Sequence, residues 1–159
     1  MSGIDQGEAQ RFLASGRLAV VGASDREGNF GSTVVEALRK GDIPTVAVHP
    51  AGRPVAGADC YRSVAEVAGR IDGAIVMVPP TRSAEVVAEC IEAGVPRIWL
   101  FKGAGAGAVS DEAVRLCAEA GVGVIAGACP LMFLEPVRGV HRLHRVLRRA
   151  NRSLIASGA

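Results

Sequence analysis

Short apolar runs alternate with helical patterns along most of this chain. Five runs are rich in β-branched residues, are bounded by glycine or proline and have the length of buried strands; they occupy residues 18–21, 45–48, 74–78, 98–101 and 122–126. Helical spacing is found at residues 8–14, 33–40, 81–93 and 110–120, with a shorter turn at 63–67. The alternation predicts an α/β fold with a parallel, doubly wound sheet of about five strands.

The helix after the first strand has recognisable start and stop signals. Thr33 and Glu36 have the spacing of a capping box, and Gly41 suits a left-handed stop. We therefore predict a helix over residues 33–40, preceded by a long loop.

That loop, residues 22–32, favours an anionic ligand. Its glycines leave room for a ligand, and the amides at the helix start, with the helix dipole behind them, attract negative charge. Ser24 and Asn29 add polar groups. A loop of this kind also serves simply to reverse the chain, so the other strand ends have to decide between the two interpretations. The glycines are Gly22, Gly28 and Gly31.

Small, rigid and cationic residues follow all five predicted strands. Ligands of parallel sheets bind beyond the carboxyl ends of the strands, which predicts a ligand site at this edge. The segments are Gly22-Ala23-Ser24, His49-Pro50 with Arg53, Pro79-Pro80-Thr81, Lys102-Gly103-Ala104-Gly105 and Gly127-Ala128-Cys129-Pro130.

A nicotinamide dinucleotide fits this edge poorly. The first segment lacks the second glycine of the dinucleotide fingerprint, and His49 stands where an acidic residue would hold the ribose hydroxyls. A ribose phosphate suits the position better, because Arg53 can reach it as a charge-assisted donor. NADP and coenzyme A (CoA) both meet this requirement.

Length and composition indicate one domain. The chain has 159 residues, of which 49% are hydrophobic, enough for a buried core. No apolar run reaches the length of a membrane span and the first residues lack signal-peptide character, so we expect a cytoplasmic protein. The four cysteines lack paired spacing, which predicts reduced thiols rather than a zinc site or disulfides.

Charge is unevenly distributed along the chain. Six arginines and no acidic residue follow position 137, although the net charge is only +2. We expect a domain over residues 1–137 and a basic amphipathic helix over 138–159 within the same unit. Its apolar stripe would pack on the domain or on a second subunit in a homo-oligomer. Scarce aromatic residues argue against nucleic acid binding, and His141 with His144 lacks a third metal ligand.

Several motifs, in their order and spacing, resemble the CoA-binding domain family. This Rossmann-like module occurs alone in small bacterial proteins and at the front of succinyl-CoA synthetase α subunits and ADP-forming acyl-CoA synthetases. The resemblance covers most of the chain. It rests on LAVVGAS at 18–24 with Asn29-Phe30-Gly31, on Val48-His49-Pro50 with Gly57, on the strand from Ile71-Asp72 to Val76 leading to Val78-Pro79-Pro80, and on residues 97–101 with Gly103.

The resemblance implies that CoA lies across the strand ends, with its phosphates near Gly22, its adenosine flanked by His49 and its pantetheine arm starting near Val78. The family usually has asparagine where this chain has His49, so we expect the hydrogen bond there to be changed or lost. Residues 103–107 alternate glycine and alanine, which suggests a mobile flap. The positions expected to bind the ligand are Gly22, Ala23, Ser24, Asn29, Phe30, Gly31, His49, Pro50, Arg53, Val78, Pro79, Thr81, Lys102, Gly103 and Cys129.

Two interpretations of Cys129 stay open at this point. A thiol at the end of the fifth strand lies where it can exchange with the CoA sulfur, but the sequence favours a buried, unreactive thiol in a turn, because no neighbouring residue indicates an activated thiolate.

No nucleophile, general base and orienting group stand out in the sequence. This favours a CoA-binding module, acting as a sensor, carrier or regulatory subunit, over an enzyme. The alternatives are an NADP-dependent oxidoreductase and a detached subunit of an acyl-CoA ligase.

Overall fold

Six parallel strands form one sheet in the computed structural model, which describes residues 3–134. The order across the sheet is β3-β2-β1-β4-β5-β6, so the winding reverses between β1 and β4. This confirms the Rossmann-like α/β fold and places its switch point, where such sheets bind ligands, beside β1. The strands are β1 (Leu18–Val21), β2 (Thr45–Val48), β3 (Cys60–Tyr61), β4 (Gly73–Val76), β5 (Arg97–Leu100) and β6 (Gly123–Ala126).

Among residues 3–134, four α-helices and two 3₁₀ turns cover the sheet. The helices are α1 (Gln6–Leu13), α2 (Phe30–Lys40), α3 (Pro80–Glu92) and α4 (Asp111–Ala120). One face carries α1, α2 and the turn Pro130–Phe133, and the other carries α3, α4 and the turn Val64–Val67. The four helices predicted within residues 3–134 are thus present, with bounds that differ by at most three residues.

Two separate cores result from the alternation of side chains along the strands. Leu18, Val20 and Ile75 pack toward α1 and α2, whereas Ala19 and Val76 pack toward α3 and α4. All these strand residues are fully buried, as expected for a sheet covered on both faces.

The ends of α2 differ from the prediction. The helix begins at Phe30, three residues before Thr33, because the Asn29 side chain accepts a hydrogen bond from the amide of Ser32 at 3.2 Å and caps the helix earlier. Gly41 ends the helix with a φ of −81°, and the left-handed conformation predicted for it is adopted by Asp42, with a φ of 60°.

β3 was not expected, because two residues carry no periodicity that a sequence pattern can reveal. It pairs with β2 through Ala47 and Val48 and forms the edge of the sheet.

Within residues 3–134, no helix is long and apolar enough to cross a bilayer, and no group of three or more potential metal ligands lies together. The basic helix expected at 138–159, its proposed role in a homo-oligomer and the domain boundary at 137 lie outside the described residues.

Candidate ligand site at the strand ends

The loop from β1 to α2 packs tightly against its surroundings. Gly22 has a φ of +101°, and a Cβ atom there would lie 2.3 Å from the carbonyl oxygen of Met77. A Cβ atom on Gly31 would lie 2.7 Å from the Cα of Ala23. These two glycines therefore allow close contact with β4 and α2, a packing role that the sequence did not predict. Gly28 has open space around it.

Asn29 holds this loop in shape. Its Oδ1 accepts hydrogen bonds from the amides of Ser24 and Ser32, at 3.3 and 3.2 Å, and its Nδ2 donates to the carbonyl of Gly22 at 3.5 Å. Ser24 is only 2% exposed, and its Oγ accepts from the amide of Arg26 at 3.4 Å. The two polar side chains thus fix the loop that faces the switch point of the sheet.

His49 forms a turn at the end of β2. Its Nδ1 accepts a hydrogen bond from the amide of Ala51 at 3.1 Å, and its backbone carbonyl accepts from the amide of Gly52 at 2.9 Å. An asparagine oxygen would make the same side-chain bond two residues along the chain. The His49 side chain thus stabilises the turn after β2 through a hydrogen bond within the chain.

Asp25 and Arg53 join the loops that follow β1 and β2. The Nε of Arg53 lies 2.7 Å from Oδ2 of Asp25, and Nη2 lies 3.0 Å from Oδ1. This two-pronged hydrogen bond lowers the pKa of the Asp25 carboxyl and raises the pKa of the Arg53 guanidinium. Asp25 is the neighbour of the site that sequence reasoning missed, although an acidic residue directly after Gly22-Ala23-Ser24 was a visible signal.

Aromatic residues cover the end of β4. Phe30, at the start of α2, is 47% exposed and contacts Phe101, with ring centroids 5.6 Å apart. Phe101 follows β5, and β4 lies between β1 and β5 in the sheet. The pair therefore spans the carboxyl end of β4, where Val78 is half-buried and where Pro79 and Thr81 are exposed.

The loops after β5 and β6 are tied together. The amide of Lys102 donates to the carbonyl of Ala128 at 3.0 Å. Lys102 and Gly103 are exposed, and Cys129 is partly exposed just before the turn Pro130–Phe133. The glycine run is anchored at its far end, because a Cβ atom on Gly107 would lie 2.5 Å from the carbonyl oxygen of Phe101.

The carboxyl ends of the strands and the loops that follow them form the strand-end edge. This edge has two chemically different parts. Over β1 and β2 it is polar and charged, and over β4 to β6 it is largely apolar. The predicted residues fall into both parts, and three of them, Ala23, Ser24 and Gly31, are buried. Cavities of about 350 and 450 Å³ lie at the opposite edge, around Pro44.

Comparison with known families matches residues 16–135 to the family described as CoA binding domain. This range includes every residue named above for the strand-end edge.

Two curated relatives differ greatly in length. The ADP-forming acetate-CoA ligase I of Archaeoglobus fulgidus is 33% identical over 118 residues, which are 70% of this chain and 17% of the ligase. This chain thus spans less than a fifth of that relative. The uncharacterized protein YneT of Bacillus subtilis is 30% identical over 115 residues, covering 72% of this chain and 82% of YneT.

Solved structures have the same fold. A hypothetical protein from Pyrococcus horikoshii OT3 superimposes with a TM-score of 0.74 at 24% identity, over 82% of this chain and 90% of that one.

Proposed function

This chain belongs to the CoA binding domain family, and we propose that it binds CoA or acyl-CoA as a module in its own right, acting as a sensor, carrier or regulatory subunit. The two-part character of the strand-end edge carries the proposal. CoA has a phosphorylated nucleoside at one end and a long, less polar arm at the other. A polar and charged part next to an apolar part, on either side of the switch point, is complementary to such a molecule.

The polar part would take the nucleotide. Gly22, Ala23 and Ser24 lie where the phosphates meet the loop and the amino end of α2, whose dipole favours anions. His49, Pro50 and Arg53 would flank the adenosine, with the guanidinium donating to the ribose phosphate.

The apolar part would take the pantetheine arm. Val78, Pro79 and Thr81 line the start of this path, and the Phe30–Phe101 pair covers it. Lys102, Gly103 and Cys129 lie farther along the edge, near the expected thiol end of the ligand.

The relatives support a binding role. They also give one observation that favours the alternative of a detached ligase subunit. YneT is matched over 82% of its length, which favours a module of similar size. The ADP-forming ligase contains the matched region as 17% of its length, which favours a detached ligase subunit instead. Co-purification with an ATP-dependent partner and CoA-dependent ADP formation would support that alternative.

Calorimetry under reducing conditions with CoA, dephospho-CoA, NAD and NADP tests the proposal. We expect micromolar affinity for CoA, a binding free energy of about −8 kcal/mol, with weaker binding of the other three. Arg53→Ala should weaken CoA binding. Arg97→Ala should not, because Arg97 is exposed at the amino end of β5, away from the strand-end edge. Preference for NADP would favour an oxidoreductase, and no binding of any ligand would contradict the proposal.

A further inference from the structure

The ion pair between Asp25 and Arg53 lies inside the part of the edge proposed to bind the nucleotide. Both side chains come from loops that directly follow adjacent strands, β1 and β2. Each nitrogen–oxygen distance, 2.7 and 3.0 Å, is that of a good charge-assisted hydrogen bond. The guanidinium that would meet a ribose phosphate therefore already has a carboxylate partner.

The Arg53 guanidinium can exchange the Asp25 carboxylate for another anion. The Arg53 side chain is 61% exposed and the Asp25 side chain 36% exposed, so both are solvated once they separate. Exposed ion pairs of this kind contribute little to stability. A phosphate monoester offers more charge and more acceptor oxygens than a carboxylate, and it accepts the same two-pronged hydrogen bond.

We propose that Asp25 is a specificity-determining residue that competes with the ribose phosphate of the ligand for Arg53. This inference rests on the proposed function. In the free protein, Asp25 holds the guanidinium in place. A ligand with a 3′-phosphate displaces the carboxylate, whereas a ligand without it leaves the pair closed.

The competition determines the ratio of the affinities for CoA and dephospho-CoA. Binding of CoA requires that the pair opens and that a carboxylate stays close to the phosphate. Binding of dephospho-CoA requires neither. Asp25 therefore lowers the affinity for CoA selectively, and it keeps Arg53 from binding other small anions indiscriminately.

The variant Asp25→Asn tests this directly, because it removes the charge and keeps the size of the side chain. We expect CoA to bind about fivefold more tightly to Asp25→Asn than to the original protein, in line with the small energy of an exposed ion pair. Dephospho-CoA should bind with unchanged affinity. Glu27→Gln is the matched control, since Glu27 is an exposed carboxylate two residues along the same loop and forms no ion pair among residues 3–134. It removes the same charge from the same loop without freeing Arg53, so it should tighten CoA binding much less than Asp25→Asn does.

Arg53→Ala separates competition from simple repulsion. In an Arg53→Ala background, Asp25→Asn should lose most of its effect on CoA, because no guanidinium is left to compete for. A full effect in that background would overturn the proposal in favour of direct charge repulsion.

Two further outcomes would also overturn it. If Asp25→Asn weakened CoA binding, the carboxylate would be orienting Arg53 for the ligand rather than competing with it. If it left the ratio of the CoA and dephospho-CoA affinities unchanged, Asp25 would have no part in specificity. In both cases CoA binding by the original protein would leave the proposed function standing, whereas no CoA binding would remove the proposed function itself.

Discussion

The indole Nε1 of Trp99 donates a hydrogen bond to the carbonyl of Gly127 at 3.0 Å and lies 3.3 Å from the carbonyl of Ala128. Trp99 is on β5 and is fully buried, while both carbonyls belong to the loop after β6. Its ring also meets Phe12 and Phe133, with centroids 5.3 and 5.7 Å away. A core residue thus fixes the loop that carries Cys129.

Trp99→Phe should lower the free energy of unfolding by about 2 kcal/mol, because it leaves the Gly127 carbonyl without its indole donor while keeping an aromatic ring in the core. Urea denaturation followed by circular dichroism measures this, since Trp99 is the single tryptophan and its fluorescence is lost. An unchanged unfolding midpoint would mean that water replaces the indole donor without cost.

Gly22→Ala and Gly28→Ala form a matched pair. Both glycines have positive φ, +101° and +77°, but only at Gly22 would a Cβ atom meet backbone, the Met77 carbonyl oxygen at 2.3 Å. Gly28→Ala should cost about 1 kcal/mol of stability, from backbone strain. Gly22→Ala should cost at least about 3 kcal/mol, because β1 and β4 also have to separate. Equal unfolding free energies in urea would contradict the packing role of Gly22.

Two substitutions of Asn29 distinguish its role in the shape of the loop from the effect of charge on CoA binding. Asn29→Ala should lower stability by about 1 kcal/mol, the usual cost of losing an N-cap. Asn29→Asp keeps the acceptor for the Ser24 and Ser32 amides, so stability should change less, but CoA should bind more weakly because a negative charge enters the phosphate end of the site. Thermal unfolding and calorimetry measure the two effects. Unaltered CoA affinity in Asn29→Asp would place the phosphates away from this loop.

The cysteines should differ in reactivity. Burial raises the pKa of Cys90 to about 12, so its reactive thiolate is nearly absent at pH 8. We expect iodoacetamide to modify Cys129 and Cys60, which are partly exposed, before Cys90 and Cys117. Peptide mass spectrometry after timed quenching gives the order. Rapid modification of Cys90 in the folded protein would show that α3 opens.

Coenzyme A disulfide distinguishes the two interpretations of Cys129. In the exchange the Cys129 sulfur forms a disulfide bond to one CoA, the CoA–CoA disulfide bond breaks, and the other CoA leaves as a free thiol that takes up the cysteine proton. A mass increase of one CoA that disappears in Cys129→Ser, and persists in Cys60→Ser, would support exchange. No adduct would favour an unreactive thiol in a turn.

The raised pKa of Cys90 also predicts a dependence of stability on pH. The folded thiol keeps its proton up to about pH 12, while the unfolded thiol releases it near 9.0. The unfolded state is therefore favoured as pH rises above 9, and the contribution is fully present below that value. Between pH 8 and 10, the original protein should lose about 1.4 kcal/mol more stability than Cys90→Ala. Parallel pH profiles in urea denaturation would contradict this.

Local pattern was sufficient for five of the six strands described within residues 3–134, though not for β3, and for the edge that carries the candidate site. The bounds of β1 and β2 follow from short β-branched runs, and parallel winding brings their carboxyl ends together whatever the side chains are. The cap of α2 could not be settled in this way, because Asn29 and Thr33 are both good caps and the choice of Asn29 depends on the hydrogen bonds that its side chain accepts from the amides of Ser24 and Ser32.

Contacts between loops could not be predicted from the sequence. The pairing of Asp25 with Arg53 depends on β1 and β2 being neighbours and on the exact course of two loops. The Phe30–Phe101 contact similarly depends on β4 lying between β1 and β5. Neither pair has a spacing that distinguishes it from other aspartates, arginines and phenylalanines.

The 350 Å³ cavity at the amino edge of the sheet has a consequence for how this unit combines with other domains. Gly16, just before β1, and Leu134, at the end of the described chain, both line that cavity. Two positions close to the bounds of the matched region thus lie around one cavity, opposite the strand-end edge. A unit with adjoining ends can be fused to, or inserted between, other domains without rearranging its binding edge. The same architecture thus suits both a small protein and a segment of a long multidomain chain.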